Sequence, residues 1–311
     1  MTYPADFSAM IAQANLRSWL SSALGPFKVA SDHTRAHPGQ RASLTRLRTA
    51  AGDCFVKLHR DRFHWENEVH AYERWAPAFG DFAPRLLAVH DQEPLALVIS
   101  ALPGTALEET SLPPAQELAA WRAAGQALPV LHASAAGEYF GPCRRDGSCA
   151  GAPLSDAVQY LTHELGDWEA RGLRANFLTP AERAIVRSTR DLLPAFAGEP
   201  PAPCHRDYCA ANWLVSSAGA WTGVIDFEFA YWDVAVADLA RDPGWNWIRR
   251  PDLPAAFLEG YGRAFTPREE DQLFFARALY ALTAIVWGEE NDYHGFAAEG
   301  RQALEVIGES F

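Results

Sequence analysis

Apolar and polar residues alternate along the first third of the chain with the period of β-strands. Five short runs show this alternation or an apolar centre, and polar, glycine-containing loops separate the first three. The runs are FKVAS (27–31), ASLTRLR (42–48), CFVKLH (54–59), RLLAVH (85–90) and PLALVIS (94–100). Between the third and fourth runs, residues 62–76 carry apolar side chains at helical steps of three and four. The pattern predicts a small antiparallel sheet and one helix.

Beyond the Leu-Pro-Gly turn at 102–104 the period changes to that of helices. The helical segments are 115–133, 156–172, 179–196 and most of 253–308. A β-rich segment therefore precedes a helix-rich one, which predicts an α+β fold of two lobes. The lobes would comprise residues 1–99 and 105–311, joined by a hinge at 100–104. Clefts between two such lobes are common ligand sites.

Composition and charge narrow the possible functions. With 49% hydrophobic and 21% charged residues, the 311-residue chain is typical of a globular protein. The 27 basic and 39 acidic residues give a net charge of −12, which disfavours nucleic acid and membrane surfaces and favours a cationic or neutral ligand. Five scattered cysteines, no targeting segment and no membrane-spanning run indicate a cytoplasmic protein. Nothing in the pattern indicates an oligomeric state.

The densest chemical signal lies at residues 204–233. A hairpin is predicted about the loop SSAGA (216–220), and it would place Asn212 opposite Asp226. Neighbouring strands lie roughly 5 Å apart, so the amide oxygen and the carboxylate could share a hard cation such as Mg²⁺. Asp207, in the preceding loop, could accept a proton from a hydroxyl near that metal.

This segment resembles a known family of enzymes. The order His205-Arg206-Asp207, Asn212 and Ile225-Asp226-Phe227 is similar to the catalytic and metal-binding segments of the aminoglycoside phosphotransferase and choline kinase-like family, relatives of protein kinases. The resemblance implies a two-lobed, protein-kinase-like fold. It also implies that Asp207 is the catalytic base or orients the substrate, and that Asn212 and Asp226 bind Mg²⁺.

The resemblance continues upstream and downstream of this segment. Lys57 resembles the family's nucleotide-phosphate lysine, and Glu68 on the next helix resembles its ion-pair partner, with Glu66 as the alternative. The segment ALVISALPG (96–104) resembles the hinge that holds adenine, which assigns Ser100 and Leu102 to the nucleotide site. Asp238 resembles a structural aspartate, and His205 is expected to be structural as well. The nucleotide implied is ATP, with GTP as an alternative.

The chain lacks several motifs of protein kinases, which favours a small-molecule kinase. No GxGxxG motif occurs at 31–43, the metal motif is Asp-Phe-Glu, and no Ala-Pro-Glu marker follows. Arg206 replaces a frequent glycine and Cys209 a frequent histidine or glutamine, so the subfamily stays open. The resemblance implies phosphorylation of a small-molecule hydroxyl, most readily on an antibiotic such as an aminoglycoside, for resistance or self-protection. Peptide or nucleoside antibiotics, and metabolites of the choline, homoserine or methylthioribose type, are the alternatives.

Acidic residues are candidates for binding the amines of a cationic substrate. The candidates are Glu228 and Asp233 near the metal motif, and Glu289, Glu290 and Asp292 in the stretch GEEND. The last three could equally be a solvated helix end. Four tryptophans could line a substrate pocket, although core packing is the safer expectation for most of them. They are Trp232, Trp245, Trp247 and Trp287.

Two other classes of protein remain in view. His205, Asp207 and a later histidine such as His294 could form an iron site of two histidines and one carboxylate, but that site needs a β-barrel scaffold that the helical second half disfavours. A pseudokinase that binds nucleotide without catalysis is the second alternative. The presence of Lys57 and Asp207 together with both metal-ligand candidates speaks against it.

Overall fold

The computed structural model describes residues 14–34 and 42–310. The strands are β1 (Phe27–Asp32), β2 (Ala42–Thr49), β3 (Gly52–His59), β4 (Leu86–His90), β5 (Ala96–Ser100), β6 (Thr105–Ala106), β7 (Ala202–Cys204), β8 (Trp213–Val215), β9 (Trp221–Val224) and β10 (Tyr231–Asp233). The helices are α1 (Ala14–Leu24), α2 (Arg62–Arg74), α3 (Pro114–His132), α4 (Ala157–Arg174), α5 (Pro180–Thr189), α6 (Ala237–Ala240), α7 (Asn246–Arg249), α8 (Asp252–Tyr261), α9 (Pro267–Glu290) and α10 (His294–Gly308). Short 3₁₀ helices lie at Ala76–Phe82, Leu107–Glu109 and Arg190–Phe196.

The predicted antiparallel sheet is confirmed, with strands in the order β1-β2-β3-β5-β4. Alternation along β3 separates two faces, as the period of a strand requires. Cys54, Val56 and Leu58 pack against α1 in one small core, whereas Lys57 points to the other face. Most of the connection between β1 and β2, where the sequence lacks a glycine-rich phosphate loop, lies outside the described residues, as does the amino-terminal segment 1–13.

The helix predicted after β3 is α2, and it begins where the side chain of Asp61 accepts a hydrogen bond from the amide of His64 at 2.9 Å. Its buried face includes Trp65, Val69 and Glu68, and the Glu68 side chain is fully buried. Of the two glutamates considered, Glu68 is therefore the one on the buried face of α2.

Two larger cores lie among the helices. In one, α3 and α8 pack with α2 and the β8–β9 hairpin. In the other, α4, α5 and α10 pack around α9. The predicted helix at 179–196 is α-helical only to Thr189 and continues as a 3₁₀ helix that contains Pro194, which cannot donate a backbone hydrogen bond. Trp232 and Trp245 are buried in the two large cores, as the packing interpretation predicts. Among the described helices, none has both the length and the apolar character needed to cross a bilayer.

Two glycines allow α3 and α8 to approach until their backbones touch. A Cβ atom on Gly125 would lie 2.0 Å from the carbonyl oxygen of Phe257, and one on Gly260 would lie 1.9 Å from that of Arg122. Each helix thus offers a carbonyl to a glycine of the other. No side chain fits at either position, so this contact depends on glycine at both.

We expect Gly125→Ala to lower the free energy of unfolding by about 1–3 kcal/mol, because the added methyl group forces the two helices apart. Gly166→Ala is the matched control, since Gly166 lies within α4 and a Cβ there meets nothing within 4 Å. The control is expected to gain about 0.5–1 kcal/mol from the better helix propensity of alanine. Urea unfolding followed by circular dichroism measures both, and equal midpoints for the two variants would contradict the close contact.

Candidate active site

A cleft of about 1470 Å³ lies between the five-stranded sheet and the helices. Nine of the twelve predicted site residues line it, although they come from distant parts of the sequence. They are Lys57, Glu68, Ser100, Leu102, Asp207, Asn212, Asp226, Glu228 and Asp233. The fold therefore brings most of the predicted site residues together in one cleft.

Lys57 lies at the centre of a buried cluster of carboxylates. Its Nζ atom lies 3.0 Å from Glu68, 2.5 Å from Asp226 and 3.0 Å from Glu228, and the residue is only 7% exposed. Burial alone opposes the charge of Lys57, but the three carboxylates outweigh that effect and raise the pKa of Lys57 well above its ordinary value. The ammonium group is therefore permanently charged.

The cluster carries more negative than positive charge, and this excess decides what else it can bind. Burial raises the pKa of Glu228 to about 7, because Lys57 offsets only part of the desolvation and Asp226 and Glu68 add to it. A second cation would relieve this repulsion. The donor set, with Asp226 and Glu228 supplying carboxylate oxygens, suits a hard divalent ion such as Mg²⁺.

Asn212 completes this oxygen-rich corner. Its side-chain nitrogen donates to the backbone carbonyl and to the carboxylate of Asp207, both at 2.9 Å, which turns its side-chain oxygen away from Asp207. The hairpin register differs by one residue from the expected one, because the amide of Ile225, not Asp226, meets the carbonyl of Asn212 at 3.0 Å. The pairing shifts by one residue between Leu214 and Val215, which brings Asn212 opposite Ile225 instead of Val224. Asp226 follows the strand in the left-handed region, at φ 69°.

Asp207 lies in the loop between β7 and β8 as an ionised carboxylate. Burial opposes its charge, but the guanidinium of Arg241, whose Nε lies 2.7 Å from Oδ1, outweighs burial and holds the pKa of Asp207 below its ordinary value. The bond from Asn212 acts in the same direction. Arg241 lies just after α6, and no local motif singled it out in the sequence.

The loop that carries Asp207 is held in place by a buried acid. Asp238 accepts hydrogen bonds from the amides of His205 and Arg206, at 2.9 and 2.5 Å, and lies 3.0 Å from Nε2 of His132. Arg206 adopts the left-handed conformation, at φ 60°, which is unfavourable for residues other than glycine. The two hydrogen bonds to Asp238 stabilise it there. His205 is fully buried, with Nε2 at 3.0 Å from the carbonyl of Ile225, so it supports the loop from behind.

Of the five acidic residues predicted to bind the substrate, Glu228 and Asp233 line the cleft and the other three do not. Asp233 lines the cleft, but its carboxylate already pairs with Arg206 at 2.8 Å, and burial raises its pKa to about 6 despite that arginine. Glu289, Glu290 and Asp292 do not line the cleft. Their positions are explained by partners elsewhere: Glu289 pairs with Arg301 and His294, and Glu290 pairs with Arg171. Asp292 is exposed in the turn before α10.

The iron-site alternative finds no support in this arrangement. His294 is an exposed residue that lies 3.1 Å from Glu289, whereas the His205 ring contacts the Ile225 carbonyl on one side and the Asp207 amide on the other. Within the described residues, no group of side chains at ligand distance combines His205, Asp207 and His294.

An apolar part of the cleft, the apolar slot, is lined by Phe55 and Ile99 of the sheet and by Leu214 and Ile225 of the hairpin segment. Phe55 lies two residues before Lys57 in β3 and therefore on the same face of the strand. Ser100 and Leu102 lie at its edge, where β5 ends. Such a slot fits a flat ring system next to a cation.

Comparison with known proteins identifies the family of the chain. Residues 33–275 match a family described as the phosphotransferase enzyme family. No curated protein sequence matches the chain.

Solved structures resemble the fold over almost its whole length. The aminoglycoside phosphotransferase APH(4)-Ia, in a ternary complex with ADP and hygromycin B, has a TM-score of 0.73 at 14% identity and covers 96% of this chain and 99% of its own. The GDP and kanamycin complex of APH(2")-IIia has a TM-score of 0.68 at 12% identity, covering 95% and 98%. The gentamicin complex of APH(2")-IIa has a TM-score of 0.61 at 14% identity, covering 97% of each chain. These likenesses confirm the predicted two-lobed, protein-kinase-like α+β fold.

The contact between Arg241 and Asp207 makes a testable electrostatic prediction. Arg241→Gln is expected to raise the pKa of Asp207 above its ordinary value, because burial then acts with less opposition. Arg241→Lys keeps the charge and should restore most of the effect. Carboxyl ¹³C NMR titration of aspartate-labelled protein measures this, with the Asp207 signal identified by its loss in Asp207→Asn. Arg263→Gln, a change in an exposed arginine paired with Glu269, serves as the control. An Asp207 titration unchanged in Arg241→Gln would contradict the assignment.

Proposed function

This chain belongs to the phosphotransferase enzyme family and is a small-molecule phosphotransferase, and on that premise we propose that it transfers the γ-phosphoryl group of ATP to a hydroxyl group of a small molecule with the help of Mg²⁺. The observation that carries the proposal is the convergence of Lys57, Asp226, Asn212 and Asp207 in one cleft beside an apolar slot. The lobes would be residues 1–99 and 105–311, with 100–104 as the hinge, where β5 ends and the slot begins.

The nucleotide would bind with its base in the apolar slot and its phosphates toward Lys57. Phe55 and Ile225 offer apolar surface to the base, and Ser100 and Leu102 line the same cleft. Lys57 would then exchange part of its contact with Asp226 and Glu228 for the phosphate oxygens, while its contact with Glu68 keeps the ammonium in place. Solved relatives hold ADP or GDP, and we propose ATP as the donor, with GTP as the nucleotide to compare.

Asn212 and Asp226 are the residues that would hold Mg²⁺, with the carboxylate of Glu228 close by. When bound there, the ion would neutralise negative charge on the transferring phosphates. An acidic protein needs such local positive charge around a nucleotide, and Lys57 alone supplies a single unit of it.

Asp207 would orient the acceptor hydroxyl and accept its proton. The acceptor oxygen forms a bond to the γ-phosphorus as the bond from that phosphorus to the oxygen of ADP breaks, and the hydroxyl proton passes to the Asp207 carboxylate. Arg241 keeps that carboxylate ionised before the reaction. Phosphoryl transfer depends mainly on positioning and charge, and two hydrogen-bonding neighbours, Asn212 and Arg241, hold the acid in one orientation.

The acceptor class follows less directly from the site than the reaction does. Solved relatives carry hygromycin B, kanamycin or gentamicin. We therefore propose an antibiotic alcohol as the acceptor, with resistance or self-protection as the role.

The function is tested by incubating the protein with ATP and Mg²⁺ against aminoglycoside, macrolide, peptide and nucleoside antibiotics and choline-type metabolites, with mass spectrometry for a phosphate adduct. Asp207→Asn is expected to lower turnover by about 10²–10⁴-fold while nucleotide binding persists, because it removes the proton acceptor and leaves Lys57 intact. Full turnover in Asp207→Asn would remove this residue from the mechanism. Nucleotide binding without turnover on any acceptor, and without slow hydrolysis of ATP, would favour a pseudokinase.

Asp226→Ala is expected to abolish the Mg²⁺ dependence of nucleotide binding, because it removes a carboxylate proposed to ligate the ion. Titration with a fluorescent ATP analogue, with Mg²⁺ and with chelator, measures the effect. Asp271→Asn, a change in an exposed aspartate of α9, is the matched control and should keep the full Mg²⁺ effect. If Asp226→Ala kept it as well, the ion would bind elsewhere.

A further inference from the structure

The half of the cleft beyond Asp207 is walled by aromatic rings. We call these residues the aromatic wall: Trp168, Phe229, Tyr231, Tyr280, Trp287 and Phe296. Three of them are close neighbours, with ring centroids 6.0 Å apart between Trp287 and Phe296 and 6.2 Å apart between Tyr280 and Phe296. All six line the cleft, and most are only half-buried, so they present ring surface to a bound molecule.

The charged groups in this half of the cleft largely neutralise each other. Asp233 pairs with Arg206 at 2.8 Å, and Glu299 pairs with Arg249 at 3.0 Å. Arg171, Arg206 and Arg241 line the same space, and each is paired with a carboxylate, of Glu290, Asp233 and Asp207 respectively. Glu164 also lines the cleft and acts electrostatically on Arg206, and it is not part of these ion pairs.

The acids that would attract several amines lie elsewhere. Glu289 and Glu290 are outside the cleft and are already paired with arginines. The net charge of −12 draws cations toward the protein from a distance, but an ammonium group that leaves water needs a partner at contact. Glu164 is such a partner among the residues that line the cleft with the aromatic wall.

Much of the aromatic wall also lies beyond the part of the chain that matches the family. Tyr280, Trp287 and Phe296 belong to α9 and α10, whereas the family match ends at residue 275. Membership in the family therefore does not determine the chemistry of this surface, which is a property of this chain.

We propose that the acceptor is an amphipathic alcohol with an extended apolar or aromatic face and at most one positive charge, and that it is not a polycation. This inference rests on the proposed phosphotransferase function and narrows its substrate. The apolar face would lie against Trp287 and Phe296, and a single amine, where present, would meet Glu164. The hydroxyl would then face Asp207 from the aromatic side of the cleft.

Isothermal titration calorimetry at 0.15 M salt, on the full chain with Mg²⁺ and the non-hydrolysable nucleotide AMP-PNP, tests the proposal. The amphipathic probes are erythromycin and puromycin, each with one amine, and the polycationic probes are kanamycin and gentamicin. At least one amphipathic probe is expected to bind ten times more tightly than either polycation. Equal or tighter binding of a polycation would overturn the proposal, and so would the failure of all four probes to bind.

A separate titration with AMP-PNP and Mg²⁺ alone distinguishes this failure from failure of the proposed function. If the nucleotide binds and the amphipathic probes do not, the substrate class is wrong while the phosphotransferase function stands. If the nucleotide itself does not bind, the proposed function fails first.

Variants locate the probe on the aromatic wall. Trp287→Ala should weaken binding of the amphipathic probe at least fivefold and leave AMP-PNP binding unchanged, and Trp287→Phe should restore most of the affinity because a ring surface remains. Trp19→Ala, in a tryptophan of α1 that lies against His90 and does not line the cleft, is the matched control. Unchanged probe affinity in Trp287→Ala would show that the probe binds elsewhere and would overturn the proposal.

Discussion

The buried ammonium group of Lys57 is the interaction on which the site depends, because it joins three separate parts of the chain. It lies on β3, it meets Glu68 from α2, and it meets Asp226 and Glu228 from the segment after β9. Removing a lysine from water is costly unless opposite charges compensate it. Here they overcompensate, and the negative excess leaves room for a second cation. The contacts that hold sheet and helices together would therefore also prepare the site for the proposed Mg²⁺ and nucleotide phosphates.

Backbone strain is concentrated at the same place. Arg206 and Asp226 both adopt left-handed conformations, one beside the proposed base and one at a proposed metal ligand. Strained backbone persists where surrounding contacts enforce it. Asp238 enforces the conformation of Arg206 by accepting hydrogen bonds from the amides of His205 and Arg206, and the ion pair with Lys57 holds the side chain of Asp226. Much of the buried polar structure around the site thus serves to hold loops that would relax if left alone.

Interactions with a local period could be predicted from the sequence, and long-range pairings could not. Strand alternation predicted the sheet and helical spacing predicted the helix that carries Glu68, because each pattern depends only on residues a few positions apart. The hairpin register was wrong by one position: β9 ends at Val224, and the amide of Ile225, not Asp226, meets the carbonyl of Asn212. The order of residues does not show where the pairing of two strands stops. The pairing of Asp207 with Arg241 was missed because the two residues are 34 positions apart and no local pattern relates them. The acids at the end of α9 looked available, but Glu290 meets Arg171 across 119 residues.

The crossing of α3 and α8 limits how the sequence of this chain can diverge. Tyr208, the neighbour of Asp207, donates from its hydroxyl to the carbonyl of Ala124 at 2.9 Å, one residue before the glycine at which the two helices touch. A shift of α3 relative to α8 would displace the loop that carries Asp207, because the hydrogen bond between Tyr208 and Ala124 joins that loop to α3. Sequence drift in these two helices is therefore unequal: exposed positions are free to vary, whereas Gly125 and Gly260 are confined to one residue type. A descendant of this chain with a new acceptor is expected to keep both glycines while its aromatic wall changes.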